Sequence, residues 1–335
     1  MRTRKIFIDP PSKAFYKNRF FTDSELNRDD CLRPYIELKE RLHEQGIELN
    51  TFDLWDENCG PIEYYSFGML DNLGVVAAHP DVTMKGFYVF EPPIVDPSIY
   101  KSLPRLTSMF EEVYVHNTHG DGYSLDGVDS SKLKKLFWPQ PFGHVLEPFW
   151  QNEDRVKKIV VINGNHKPAF RSNELYSKRI EAMVRLSEKG LVDLYGRGWE
   201  RWLTRSSMWM PYLMNRKKLL SIYKGSCESK FEVLSRYDFC LCFENMIMDS
   251  YMTEKLFDCL YAGVIPLYWG APDVDQFIPE GAYIDVRSFS GWDELTEYIE
   301  AMPASVIESI REAGKQFVES ERMNVFSRSL LRNFT

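Results

Sequence analysis

Residues 243–270, FENMIMDSYMTEKLFDCLYAGVIPLYWG, decide how this chain is read. An apolar run ends in Glu244-Asn245, a Thr253-Glu254-Lys255 triplet opens a helical pattern, and a second apolar run closes on Trp269-Gly270. The order is strand, polar loop, helix, strand. Thr253 is a natural N-cap, because its hydroxyl can accept from the free amides of the first turn. Those amides and the positive end of the helix dipole favour an anion just outside the helix. Lys255 adds a full mobile charge there, which makes a pyrophosphate the fitting guest.

Outward from this stretch, elements of the same kind recur. Lys5–Asp9, Ile47–Leu54, Val75–Ala78, Gly86–Glu91 and Val113–His116 are apolar runs of strand character, with Leu32–Gln45 and Pro97–Glu112 helical between them. The second helix is interrupted near Pro104. Residues 117–156 are turn-rich, and an interdomain linker is placed near 143–156. Beyond it come strand Ile159–Asn163, helix Asn173–Lys189 and strand Val192–Gly196. Helical segments Leu219–Tyr223 and Glu232–Tyr237 precede strand Asp238–Glu244. Strand Ala282–Val286 and helices over 291–301 and 304–323 end the chain. Alternating strand and helix predicts α/β structure with doubly wound parallel sheets. A length of 335 residues predicts two Rossmann-like domains, 1–150 and 151–335, with the last helix able to pack back on the first. Ligands of such sheets lie outside the carboxyl ends of strands. Asn163, Gly196, Glu244 and Gly270 fall there, which makes the second domain the nucleotide side.

Composition narrows the function. A net charge of −8 argues against non-specific nucleic-acid binding, which needs clustered cations. Lys157-Lys158 and Arg216-Lys217-Lys218 read as solvated faces. Six cysteines show no zinc spacing, and Cys240 and Cys242 share one strand face, so a reducing compartment is expected. The longest apolar run, Leu260–Ala271, holds about 12 residues against the roughly 20 that span a bilayer. The basic start is followed by too short an apolar core for a signal peptide before Asp9-Pro10-Pro11. Asp273-Val274-Asp275 reads as a solvated helix start rather than a metal site, and His79, His116 and His119 lack carboxylate partners at ligand spacing. Gly196-Arg197-Gly198 lacks the third glycine of a dinucleotide fingerprint.

Phe243-Glu244-Asn245, Tyr251 to Lys255, Ala262 to Pro266 and Tyr268 to Pro272, taken together, resemble the signature of the α-1,3-fucosyltransferases, glycosyltransferase family 10. Strong resemblance covers residues 157–290. It implies a GT-B fold, two Rossmann-like domains facing across a cleft, and inverting transfer of L-fucose from GDP-fucose to a glycan hydroxyl, O3 of N-acetylglucosamine or a related sugar. It implies donor contacts from Glu244, Asn245, Tyr251, Thr253, Lys255 and Gly196, with Glu254 stabilising charge at the anomeric carbon. Arg179 aligns with a diphosphate-binding arginine, though Arg171 and Lys178 stand near enough to be its counterpart. Phe90-Glu91-Pro92-Pro93 resembles the acceptor-side motif and offers Glu91 as base. Val160–Asn163 with Gly164-Asn165-His166 departs from the family's Ser-Asn loop. No metal or other cofactor is demanded by a motif, and stimulation by a divalent cation stays open. Partners are expected to be a nucleotide sugar and a glycan, with no nucleic acid and no membrane span. Eukaryotic members carry a Golgi anchor, so the expected setting is bacterial or viral cytoplasm, peripheral membrane contact included, or an excised catalytic fragment. A different nucleotide-sugar donor and a non-catalytic binding shell are the rival readings.

Overall fold

The computed structural model describes residues 4–201 and 208–334, so residues 1–3 of the basic start lie outside it. Two compact units emerge, Met1–Pro141 with Val325–Thr335, and Phe142–Asn324.

The first unit is built on six parallel strands: β1 (Lys5–Asp9), β2 (Glu48–Thr51), β3 (Ile62–Ser66), β4 (Val82–Tyr88), β5 (Glu112–Val115) and β6 (Leu133–Lys135), in the order β2-β1-β3-β4-β5-β6. Side chains alternate between the faces of a strand. Phe7, Tyr64, Phe87 and Val113 therefore enter one core, and Ile6, Ile8, Tyr65, Tyr88 and Tyr114 enter the other. Helix Arg33–Glu44 closes the second core through Leu38 and Leu42. The carboxy-terminal helix Ser329–Phe334 adds Leu330 and Phe334, the Phe334 ring lying 4.2 Å from that of Tyr65.

Several boundaries differ from the sequence reading. Val75–Ala78 is not a strand; Leu73–Ala77 is a helix that buries Leu73 and Val76, three residues apart, and leaves Val75 exposed. The strand in this region is β3, where Glu63 and two tyrosines hide the alternation. The run Ile47–Leu54 breaks after Thr51 into a short 3-10 turn, Phe52–Leu54. Pro97–Glu112 forms two helices, Pro97–Lys101 and Leu103–Met109. Strand β6 lies within the segment that reads as turn-rich.

The second unit carries five parallel strands: β7 (Val156–Ile162), β8 (Val192–Tyr195), β9 (Tyr237–Phe243), β10 (Ile265–Trp269) and β11 (Ile284–Asp285), in the order β11-β10-β9-β7-β8. In both sheets the strand order reverses once, between β1 and β3 and between β7 and β9. Connections leave in opposite directions at such a point, and the carboxyl ends of the two strands border an open crevice. Among the described residues no helix is long and apolar enough to cross a membrane.

Candidate functional site

Strand β9 delivers Glu244 to the reversal point of the second sheet with no exposed side-chain surface. A buried carboxylate must be satisfied or be expelled. Here Oε1 accepts from the Thr253 amide at 2.8 Å and Oε2 from the Thr253 hydroxyl at 2.9 Å. Lys255 Nζ lies 3.4 Å from Oε2, donates to Thr253 Oγ1 at 2.9 Å, and stands 3.4 Å from Glu254 Oε1. Glu244, Thr253, Glu254 and Lys255 thus form one cluster at the start of helix Glu254–Ala262, with Thr253 as its N-cap. Gly270 belongs to the same construction. A Cβ on it would fall 2.5 Å from Glu244 Cγ and from the Tyr268 hydroxyl, so the backbone after β10 approaches the carboxylate only without a side chain.

Burial raises the Glu244 carboxyl above its ordinary pKa, against the pull of Lys255. Burial acts most strongly, to raise Glu254, but the Lys255 and Lys230 ammoniums and hydrogen bonds together outweigh it and the net shift is downward. For Lys255, burial opposes the charge while Glu254 and Glu244 support it, and the balance is a raised pKa. The lysine is therefore a fixed cation, 20% exposed, at the positive end of a helix. The far end of that helix is also compensated: Arg155 donates to Ala262 O at 2.7 Å and Arg311 to Gly263 O at 2.9 Å.

Arg179 reaches the same strand end from helix Tyr176–Leu186. Its Nη2 donates to Phe243 O at 2.6 Å and Glu244 O at 2.9 Å, and its buried Nε meets no protein acceptor. Of the two alternatives, Arg171 is exposed, and Lys178 pairs with Glu181 at 2.9 Å on the surface. Asn245 donates to the Tyr251 hydroxyl at 3.3 Å, and Tyr251 is buried. The loop between them turns at Ser250, whose left-handed backbone (φ 62°) is fastened by Asp273 through two bonds of 2.6 Å. Asp273 does stand at a helix start, as the N-cap of the 3-10 turn Val274–Gln276, but its carboxylate fastens the loop instead of facing solvent freely. Its partner lies 23 residues upstream, and no local pattern announces it. Gly196 (φ 136°) ends β8 against Asn163, whose carbonyl oxygen would lie 2.0 Å from a Cβ. Among the described residues no cluster of three metal-ligating side chains occurs.

Glu91 belongs to the first unit and is exposed just beyond β4, between buried Phe90 and Pro92. The peptide ahead of it is held by His116, whose Nε2 donates to Phe90 O at 2.8 Å while its ring stacks on Trp138. Burial pushes the His116 pKa down to about 4, so the ring is neutral and retains its donor at ordinary pH. The carbonyl of Glu91 accepts from the Tyr100 hydroxyl at 3.1 Å. His116 carried no positive signal in the sequence; its partner is 26 residues away.

The family description "Glycosyltransferase family 10 (fucosyltransferase) C-term" matches residues 163–306. Over 72 residues the chain is 40% identical to an alpha-(1,3)-fucosyltransferase of Helicobacter pylori, a match covering 22% of this chain and 15% of the relative. It is 42% identical over 73 residues to GDP-fucose protein O-fucosyltransferase 3 of Bos taurus, covering 22% and 15%. The matches thus span about 15% of the length of these relatives. In three dimensions, an alpha1,3-fucosyltransferase solved with GDP-fucose superposes with a TM-score of 0.53 at 16% identity, covering 99% of this chain and 89% of that one. An alpha-glucosyltransferase solved with UDP-glucose and DNA gives 0.62 at 11% identity, covering 100% and 99%. These likenesses establish the GT-B fold.

Proposed function

We propose that this chain, which belongs to glycosyltransferase family 10, transfers L-fucose from GDP-fucose to a sugar hydroxyl, O3 of N-acetylglucosamine or a close relative, with inversion. The observation that carries this reading is the buried Glu244–Thr253–Lys255 cluster, which holds a permanent cation at the amino end of helix Glu254–Ala262. A helix start and a fixed ammonium suit a diphosphate. In the reaction the acceptor oxygen bonds to the anomeric carbon as the bond from that carbon to the diphosphate oxygen breaks. The acceptor proton passes to the Glu91 carboxylate, and GDP leaves with its negative charge opposite Lys255 and Arg179. Their cationic charge takes the place a metal ion would hold, so turnover is expected to survive chelation, with any divalent cation only stimulatory. Glu254, partly exposed and held ionised by Lys255, supports positive charge developing on the sugar.

The rival reading is a different nucleotide sugar, because one structural neighbour was solved with UDP-glucose. GDP should raise the melting temperature with concentration and UDP much less; equal shifts would remove the GDP assignment. Glu91→Gln should lower transfer by about 10²–10⁴-fold, the usual contribution of a general base, with the GDP shift intact. A Glu91→Gln enzyme that keeps most of its rate would assign the base elsewhere.

A further inference from the structure

At the reversal point of the first sheet, Asp9 ends β1 with a fully buried side chain. Among the described residues it forms no ion pair. Its carboxylate accepts from the Tyr64 hydroxyl at 2.9 Å, the Tyr16 hydroxyl at 3.1 Å and Asn72 Nδ2 at 2.7 Å. Tyr64 is buried, whereas Tyr16 and Asn72 are both partly exposed. Asn72 Nδ2 also donates to the Tyr16 oxygen at 2.9 Å. Both amide hydrogens are thus consumed on the inner side, which fixes the amide so that its Oδ1 points away from the carboxylate. The hydroxyl proton of Tyr16 is consumed by Asp9 as well. What this pair can still offer is acceptor capacity, from Asn72 Oδ1 and the remaining lone pair of Tyr16.

The loop that carries Tyr16 is pinned at unusual expense. Lys17 and Asn18 both adopt left-handed backbone (φ 60° each). The Lys17 amide is held by the Asp53 carboxylate, and Asn18 exchanges bonds of 2.9 and 2.8 Å with Thr51. Strained backbone persists where surrounding contacts over-determine it. A buried, unpaired carboxylate is likewise a poor stabiliser compared with an apolar side chain of similar volume. Both features make sense if the product is a pair of oriented acceptors.

We propose that Tyr16 and Asn72, oriented by Asp9, form a subsite for adjacent hydroxyls of the saccharide acceptor, one residue removed from the sugar that reacts at Glu91. The assignment rests on the glycosyl-transfer reading above. Strands β1 and β4 flank β3, and Asp9 is in register with Ser66 and Ser66 with Phe87, so Asp9 and the end of β4 are two strand spacings apart, roughly 10 Å, with Glu91 four residues beyond Phe87 on the same carboxyl edge, a span suited to an oligosaccharide. Tyr16 and Asn72 bind the hydroxyls, and Asp9 is a positioning residue behind them.

The test uses saturation-transfer NMR with N-acetyllactosamine, chitobiose and lactose, together with acceptor kinetics on whichever transfers. Tyr16→Phe and Asn72→Ala should each weaken saccharide binding and raise the acceptor KM about five- to tenfold, as expected for one hydrogen bond. The kcat and the melting shift given by GDP should stay at wild-type values. A purely structural network would lower the melting temperature and leave KM unmoved. Wild-type KM and saccharide affinity in both variants would overturn the subsite, as would absence of saturation transfer from wild type to all three sugars. A protein that GDP does not stabilise would sink the fucosyl-transfer reading, and the NMR comparison of wild type with the variants would still decide the subsite.

Discussion

Each unit buries one carboxylate at the carboxyl end of a strand beside its sheet's reversal point, and the two are satisfied by opposite means. Glu244 is met by a hydroxyl, an amide and the Lys255 ammonium. Among the described residues Asp9 is met by neutral donors, two tyrosines and an asparagine. Burial pushes both carboxyls up from their ordinary values. With an ammonium beside it, the first serves as an anchor for a cation. With neutral partners, the second orients the Tyr16 hydroxyl and the Asn72 amide. One position in a common architecture is therefore satisfied by two chemistries, set by which donors the neighbouring loops supply, and the proposals above give each its own ligand.

The largest effect that would break this contrast is expected at Lys255. Lys255→Met removes the counter-charge of a fully buried carboxylate, so the protein should lose about 3–5 kcal/mol in urea unfolding as well as its GDP shift. Adding Glu244→Gln should return most of the stability and none of the GDP binding. Full stability in the single variant would mean that Glu244 does not depend on the ammonium. On the first unit, His116 sets a pH dependence. Its pKa is depressed to about 4, so the unfolded state binds a proton that the folded state refuses. Stability is complete above the ordinary value near 6.5 and falls as pH drops through the window to about 4, by roughly 3 kcal/mol. The difference in unfolding free energy between wild type and His116→Gln should shrink by that amount on acidification; a constant difference would show that the ring titrates normally. The smallest effect is Tyr64→Phe, which removes one neutral donor from Asp9 and should cost about 1–2 kcal/mol without altering the GDP shift. A loss of GDP stabilisation there would erase the division of labour between the two carboxylates.

The second unit was legible where its signals are local. The apolar run of β9, the Thr253 cap, the helix it opens and the apolar run of β10 lie in continuous sequence, and the structure reproduces them in that order. What escaped depends on partners that sequence does not juxtapose. Asp9 reads only as the end of a strand because Tyr64 and Asn72 lie 55 and 63 residues downstream. Glu63-Tyr64-Tyr65 obscures β3, since tyrosine hydroxyls disguise rings that are packed on both faces of the sheet. Val75-Val76-Ala77-Ala78 mimics a strand because a helix this short shows too little of its period. Lys255 was recognisable as a cation, but its ion pair with Glu244 was not, and that pair makes it a support of the fold as well as a proposed donor-site residue.

The return of residues 325–335 to the first unit has a consequence for the order of events during synthesis. Leu330 and Phe334 fill the core beneath β1, β3 and β4, and Arg4 donates to the carbonyl of Phe334 at 3.3 Å across 330 positions of chain. A nascent chain emerging from the ribosome can therefore gather the whole of residues 142–324 before the unit that began first has its last core side chains. The earlier-made half must wait, with part of an aromatic face uncovered, for the later-made half to finish. Vectorial folding is thus reversed at its final step, and a stall near residue 320 would strand the amino-terminal sheet rather than the carboxy-terminal one.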